Sequence, residues 1–310
     1  MQVARIRIGT RGSPLALAQA HEVRDRLAKA HGLREDAVTI TVIKTTGDRV
    51  LDRPLSEIGG KGLFTKEIED ALFANEIDVA VHSMKDMPTA LPDGLSIGAV
   101  LPREDPRDAF ISLKYPNLGA LPPEAIVGTS SLRRKSQVLS VRPDLRVIDF
   151  RGNVETRLRK LKDGVADATF LAVAGLNRLG LDDHITAVVP IDDMLPAVAQ
   201  GAIGLEIRTD DAATAADIAP LNDPDTAIAV TAERAFLARL EGSCRTPIAG
   251  YATRDGNRLS FRGQVLSPDG KKKYDVARMG TLEAARDLGL AAADEVLSKA
   301  DPAVLARSSA

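Results

Sequence analysis

Strand-like segments alternate with helical segments along most of the chain, and this order constrains the fold more than any other feature. Residues Ala4 to Gly9 alternate apolar and polar side chains, Ser13 to Ala30 carry apolar residues at helical spacing, and Val38 to Thr45 alternate again. A period of two residues predicts a strand, and a period of 3.6 residues predicts a helix. The repeated strand–helix–strand order favours an α/β fold with parallel sheets.

The same pattern continues further along the chain and predicts three domains. A second set of strands and helices begins after Pro102, and a buried strand at Ala202–Arg208 is expected to return to the first domain. Two crossings would make a hinge and place a cleft between these two domains. From Asp223 a helical pattern runs to about Glu241. Segments with alternating apolar and polar residues follow, separated by turn signals, and an amphipathic helix comes after them. We therefore expect a first α/β domain at 1–101 and 202–219, a second α/β domain at 102–201, and a small α+β domain at 220–310.

Composition narrows the possible partners. The 310 residues include 41 Lys and Arg and 43 Asp and Glu, a net charge of −2, so no overall basic field is available for nucleic acid or an anionic membrane. The sequence contains no apolar signal segment or membrane span, and we expect a cytoplasmic protein. A single cysteine and four histidines without metal-binding spacing predict no bound metal.

Three predicted strand-to-helix turns carry arginine beside helix-capping residues. Such turns converge at one edge of an α/β sheet, and arginine binds a carboxylate through two hydrogen bonds. Taken alone, the Arg11 turn is more often an ordinary capped helix with a surface arginine than a binding site. Together they predict a ligand with several carboxylates or phosphates, bound by Arg11 and Ser13, by Thr129, Ser131, Arg133 and Arg134, and by Arg151 and Arg157.

A further group of polar residues follows the buried strand that ends near Val81. Lys85 and Asp86 form a pair that is usually a surface ion pair, and His82 is expected to make a structural hydrogen bond. Among arginines, however, an ionised Asp86 could stabilise a positive intermediate or orient N–H donors. The glycine-rich run around Lys61 lacks nucleotide-binding spacing, and we interpret it as a flap over the cleft.

Cys244 follows the predicted helix from Asp223 to about Glu241. Gly242 can end that helix, and Arg245 could favour the thiolate form of the cysteine. A small buried thiol is an equally good interpretation from the sequence alone.

These motifs, in this order, resemble the porphobilinogen deaminase family along essentially the whole chain. The resemblance rests on the segments 11–17, 59–64, 82–86, 128–134, 151–153, 171–179 and 199–202 and on the Cys244 loop. It implies two α/β domains related to bilobal periplasmic binding proteins, with the active cleft between them, and a C-terminal domain that carries the cysteine. The implied enzyme is a hydroxymethylbilane synthase, a transferase of tetrapyrrole and heme biosynthesis. It condenses four porphobilinogen molecules head to tail, with loss of ammonia, on a dipyrromethane primer held as a thioether.

The resemblance also implies roles for individual residues. Asp86 is the expected catalytic carboxylate, Lys61 belongs to the flap, and the chain is expected to be a monomer without a metal. The dipyrromethane is expected to be bonded to Cys244 and bound by Lys85, Ser13, Thr129, Ser131, Arg133 and Arg134. The substrate is expected to be bound by Arg11, Arg151, Arg157 and Arg178.

Two other functions compete with this interpretation. A noncatalytic, bilobal anion receptor would share the fold and the arginine turns, although the missing export signal and the Cys244 domain oppose it. A phosphate-binding enzyme would use the same helix N-termini, but no nucleotide motif supports it.

Overall fold

A computed structural model of the chain describes residues 5–49, 62–240, 247–301 and 304. The chain separates into two compact units, Met1–Glu104 with Ala202–Ala227 and Asp105–Gly201 with Ile228–Ala310. Lys61 and Cys244, both expected to be functional, lie outside the described residues. The division into three domains and the cleft remain predictions.

The described strands and helices follow the predicted order, with boundaries that differ by a few residues. The strands are β1 (Ile6–Thr10), β2 (Val38–Val42), β3 (Val79–Ser83), β4 (Leu95–Val100), β5 (Asp108–Ile111), β6 (Ile126–Gly128), β7 (Arg146–Ile148), β8 (Ala168–Ala172), β9 (Ala187–Val188), β10 (Ile203–Arg208), β11 (Ile248–Asp255), β12 (Arg258–Leu266) and β13 (Lys273–Thr281). The helices are α1 (Pro14–His31), α2 (Thr46–Arg49), α3 (Lys66–Phe73), α4 (Leu132–Val141), α5 (Val154–Lys162), α6 (Val173–Leu179), α7 (Ala212–Ile218), α8 (Pro224–Arg239) and α9 (Ala285–Lys299).

The first unit is built on a five-stranded sheet in the order β2-β1-β3-β10-β4. Helix α1 buries Ala20, Val23 and Leu27 against one group of strand residues, and α3 buries Ile68 and Leu72 against another. Burial of such apolar surface is the main favourable contribution to the stability of the unit.

The second unit contains two sheets. The five-stranded sheet has the order β7-β6-β8-β5-β9, and the antiparallel sheet has the order β11-β12-β13. Helices α8 and α9 pack on the antiparallel sheet around Phe236 and Phe261, whose ring centroids are 5.0 Å apart. These sheets and helices confirm the predicted α/β class with an additional small α+β part.

The expectation of parallel sheets is wrong for one strand in each five-stranded sheet. Strand β10 is antiparallel to β3 and β4, and β5 is antiparallel to β8 and β9. Both reversed strands are the first that the chain forms after passing from one unit to the other. A crossover helix between two neighbouring strands makes those strands parallel. The chain enters β5 and β10 without a crossover helix from a neighbouring strand, so each can run antiparallel.

Candidate active site

The first turn predicted to bind an anion connects β1 to α1. Ser13 has extended backbone dihedrals, and its hydroxyl accepts a hydrogen bond from the Ala16 amide at 3.3 Å, so Ser13 is the N-cap residue as predicted. Pro14 occupies the start of the helix, where a missing amide hydrogen has no cost. The N-terminus of an 18-residue helix therefore points its remaining amides toward this turn.

The carboxyl end of β3 lies beside that turn, because β1 and β3 are adjacent and parallel. A 3₁₀ turn, Met84–Asp86, follows β3 directly and leaves Lys85 and Asp86 exposed. A small cavity of about 60 Å³ at this edge has Arg11, Ser13 and Asp86 among its lining residues. The structure thus brings together the predicted catalytic carboxylate, one predicted arginine and one predicted capping serine.

Two further contacts shape the walls of this cavity. The Gln19 amide nitrogen donates to the Ser83 hydroxyl at 2.8 Å, which joins α1 to the end of β3. The Arg11 guanidinium lies 4.0 Å from the centroid of the Phe64 ring. This cation–π contact orients a cation at the edge of the cavity.

In the second unit, three predicted binding segments occupy one edge of the five-stranded sheet. Strands β7, β6 and β8 are adjacent and parallel, and each is followed by a helix. The N-termini of α5, α4 and α6 therefore lie at the same edge. Asn153 caps α5 by accepting a hydrogen bond from the Thr156 amide at 2.8 Å, and Ser131 caps α4 by accepting one from the Arg134 amide at 3.4 Å.

Arg133 and Arg134 are buried and share a single buried carboxylate. Asp108 Oδ2 accepts from Arg133 at 2.7 Å, and Asp108 Oδ1 accepts from Arg134 at 2.7 Å. Burial alone would raise the pKa of Asp108, but the two guanidinium charges and their hydrogen bonds hold it far below its usual range. Burial also lowers the pKa of Arg133, although Asp108 opposes that change. Nε of Arg133 is buried and has no hydrogen-bond partner in the described residues.

The other predicted binding residues lie close to the same edge. Thr129 accepts from the Ser131 amide at 3.2 Å, and Arg157 Nε donates to the Gly152 carbonyl at 2.8 Å. Arg178, on α6, donates to the Gly201 carbonyl at 3.1 Å. The carbonyl of Arg151 accepts from Lys160 at 3.0 Å, which fixes the backbone beside α5.

Sequence reasoning overlooked two buried carboxylates. Asp108 lay at the end of a charged stretch and was not recognised as the partner of the arginine pair; its position directly before a strongly apolar strand was the available signal. Glu206 is fully buried in β10 and contacts His82. A lone glutamate within the apolar segment Ala202–Arg208 could have indicated it.

The described residues lack two features. Within them, no helix is both long and apolar enough to cross a membrane. The same part of the chain holds no cluster of three or more histidine, cysteine, aspartate or glutamate side chains arranged to bind a metal ion.

Comparison with known proteins identifies a family over nearly the whole chain. The family model described as porphobilinogen deaminase, dipyromethane cofactor binding domain, matches residues 6–216, and the one described as porphobilinogen deaminase, C-terminal domain, matches residues 227–298. Porphobilinogen deaminase of Paracoccus denitrificans is 62% identical over 295 residues, covering 95% of this chain and 94% of that protein. The chloroplastic porphobilinogen deaminase of Pisum sativum is 57% identical over 308 residues, covering 97% of this chain and 83% of that protein.

Among solved structures, a periplasmic substrate-binding protein of an ABC transporter from Coxiella burnetii is similar with a TM-score of 0.42 and 15% identity, covering 72% of this chain and 94% of that chain. The two family models and the close relatives agree with one another and with the resemblance drawn from the motifs. The chain belongs to the porphobilinogen deaminase family.

Proposed function

We propose that this enzyme, a hydroxymethylbilane synthase, works through the two sets of sheet-edge residues described above. The reaction joins four porphobilinogen molecules head to tail, with loss of ammonia, on a dipyrromethane cofactor. The cavity that places Asp86 beside Arg11 and Ser13 is the observation that carries the assignment of the catalytic carboxylate. The receptor alternative is not favoured, because both family models describe deaminase domains.

The arginine pair fits a ligand that carries carboxylates. Two buried guanidinium groups, of Arg133 and Arg134, share one buried carboxylate, that of Asp108. These three side chains together therefore carry a net positive charge. The unpartnered Nε of Arg133 offers a hydrogen-bond donor in the same place. A buried donor and a buried charge both favour an anionic ligand. Each pyrrole of the dipyrromethane bears an acetate and a propionate, which supply such groups.

We therefore assign Arg133, Arg134, Thr129 and Ser131 in the second unit and Ser13 and Lys85 in the first unit to binding the dipyrromethane. Cys244 would hold it covalently. When bound, this group supplies the pyrrole carbon to which the first substrate is joined. Arg11, Arg151, Arg157 and Arg178 would bind the acetate and propionate of porphobilinogen, and Lys61 would belong to a covering segment.

Asp86 has a different role, because it carries the opposite charge to the carboxylate-binding groups. Loss of ammonia from porphobilinogen leaves a positive charge shared by the pyrrole nitrogen and the methylene carbon. A fixed carboxylate that accepts a hydrogen bond from the pyrrole N–H stabilises this charge as it develops.

A cytoplasmic location, a monomeric state and the absence of nucleic-acid and membrane partners stay predictions.

Replacement of the catalytic carboxylate tests this assignment. For Asp86→Asn we expect kcat to fall by roughly 10²–10³-fold, because the amide is similar in size but has no charge. Asp93→Asn, at an exposed aspartate of the same unit, is the matched control. Turnover of porphobilinogen would be measured together with the circular dichroism spectrum and thermal midpoint.

Near-normal turnover of Asp86→Asn would remove Asp86 from the mechanism. Equal losses in the two variants would do the same, since a general effect of lost surface charge would then explain the result. Failure of the unaltered enzyme to convert porphobilinogen, in contrast, would contradict the proposed function itself.

A further inference from the structure

His82 and Glu206 form a buried pair next to the candidate active site. Nε2 of His82 lies 3.0 Å from Oε2 of Glu206, and the two side chains are 5% and 0% exposed. The pairing follows from the antiparallel register of β3 and β10, in which His82 lies opposite Gly204 and Glu206 opposite Ala80. Residues two positions from a direct pair lie on the same face of the sheet, within reach of long side chains.

The bond to Glu206 determines which nitrogen of His82 is available. An ionised carboxylate can only accept a hydrogen bond, so Nε2 carries the hydrogen and a neutral ring keeps its lone pair on Nδ1. Among the described residues, no hydrogen bond occupies Nδ1. His82 also lines the cavity that contains Asp86. The ring therefore has a proton-accepting nitrogen and a position at the cavity wall.

Two buried carboxylates lie near His82. Glu206 on β10 is fully buried, and its second oxygen, Oε1, has no hydrogen-bond partner in the described part of the chain. Glu69 on α3 is also buried, and its charge interacts with both Glu206 and His82. Burial, followed by the charge of Glu206, raises the pKa of Glu69. Arg11 and Asp86 are the other charged groups along the cavity.

The reaction requires a proton acceptor in every addition. In each addition the aminomethyl group of porphobilinogen reacts as the ammonium: its C–N bond breaks and ammonia leaves with the bonding electrons. A C–C bond then forms from the methylene carbon to the free α-carbon of the last pyrrole in the growing chain. That carbon must lose its hydrogen as a proton, so that the C–H electrons restore the aromatic ring.

We propose that His82, oriented by Glu206, is a second catalytic residue that accepts the α-carbon proton at Nδ1. The imidazolium formed is stabilised by Glu206 through the Nε2 hydrogen bond, as a carboxylate stabilises histidine in other proton-transfer sites. His82 then passes the proton to the released ammonia, which departs as ammonium, so that the ring is neutral again and no other reactant is required. Asp86 stabilises positive charge while His82 transfers the proton. This inference rests on the proposed function.

Deuterium at the free α-carbon of porphobilinogen reports directly on this step. For His82→Gln we expect kcat to fall by at least about 10²-fold. We also expect a primary isotope effect on kcat that is larger than in the unaltered enzyme, because loss of the base makes C–H cleavage limit the rate. Glu206→Gln should show a smaller fall with the same change in isotope effect. His21→Gln, at an exposed histidine of α1, should match the unaltered enzyme.

A loss of turnover without any increase in the isotope effect would overturn the proposal, since it would assign His82 a structural role only. Unchanged turnover would overturn it as well. The conversion of porphobilinogen by the unaltered enzyme is measured in the same series, so a failure of the proposed function is recognised separately.

A second measurement does not depend on turnover or on the cofactor. In ¹⁵N-histidine-labelled Cys244→Ser protein, the four histidines give ring-nitrogen NMR signals, and the His82 signals are identified by their loss in His82→Gln. At alkaline pH we expect hydrogen on Nε2 and an unprotonated Nδ1, and a change in both signals in Glu206→Gln. Hydrogen on Nδ1 would contradict the proposed direction of proton transfer.

Discussion

Asp108 is fully buried, yet each of its carboxylate oxygens accepts a hydrogen bond from an arginine. The Gln200 amide donates a further hydrogen bond to Oδ1 at 2.9 Å. Taking a carboxylate out of water is costly, and removing one partner of a buried ion pair leaves the other partner uncompensated. This residue should therefore determine the stability of the arginine pair as well as its charge.

We predict that Asp108→Asn lowers the free energy of unfolding by about 3–5 kcal/mol, because two buried guanidinium groups then face no anion. Urea unfolding at neutral pH measures the change. Asp144→Asn removes the carboxylate of an ion pair with Arg142 at a much more exposed position and should change the unfolding midpoint little. Equal midpoints for Asp108→Asn and the unaltered protein would show that the buried pair is stable without its carboxylate.

The difference in stability between Asp108→Asn and the unaltered protein should depend on pH. The pKa of Asp108 is lower in the folded state than its ordinary value of 3.8, so its contribution to stability is complete above that pH. As the pH falls below about 3.8, the unfolded chain binds a proton that the folded state excludes, and the contribution declines. The stability difference between Asp108→Asn and the unaltered protein should therefore narrow on acidification and stay constant near neutrality.

At the level of secondary-structure elements, the hairpin between β12 and β13 packs on the helix that carries the arginine pair. Gly270 in its turn has φ of +74°, and a Cβ atom there would lie 2.5 Å from the Ser136 carbonyl oxygen and 2.6 Å from the Ser140 amide. The Ser136 hydroxyl also donates to the Pro268 carbonyl at 3.3 Å. The backbone of the hairpin turn contacts the backbone of α4 so closely that the turn requires glycine at position 270. This contact holds α4 against the antiparallel sheet.

Comparison of two glycines isolates this contact. Gly256, in the turn between β11 and β12, has φ of +61°, and a Cβ atom there would have no neighbour within 4 Å among the described residues. Gly256→Ala should therefore cost only the backbone strain, about 1–2 kcal/mol. Gly270→Ala should cost about 1–3 kcal/mol more, because the methyl group overlaps the backbone of α4. Thermal unfolding of the two variants provides the comparison, and equal losses would mean that the hairpin moves away from α4 without penalty.

Across the whole molecule, local periodicity predicted the elements well but not the direction of two strands. The predicted helix Ser13–Ala30 and the predicted strand Ala202–Arg208 lie within one residue of α1 and β10 as described. The reversal of β5 and β10 depends on where the chain passes between units, and no pattern within either strand encodes that choice. Polar groups at strand ends were likewise predictable, because Ser13, Ser131 and Asn153 are capping residues by type and position.

Contacts between distant buried residues were not predictable in the same way. The Asp108 bonds to Arg133 and Arg134 span 25 and 26 residues, and the bond from His82 to Glu206 spans 124 residues. Such pairs depend on strand order, which a single sequence does not specify. The sequence therefore indicated which residue types could bind an anion, whereas the structure showed that Arg133 and Arg134 are already paired and that His82 has a buried carboxylate partner.

The covalent attachment of the cofactor is a property of the complete chain and can be tested after unfolding. A thioether survives denaturation, whereas a ligand held only by arginines and capping groups does not. We predict that the intact mass of the denatured protein exceeds that of the polypeptide by one dipyrromethane, and that Cys244→Ser shows no increment even after incubation with porphobilinogen. The increment should be retained in Asp108→Asn protein that folds, because Asp108 does not form the bond. An increment in Cys244→Ser would place the attachment at another residue, and a complete absence in the unaltered protein after incubation would contradict a covalent primer.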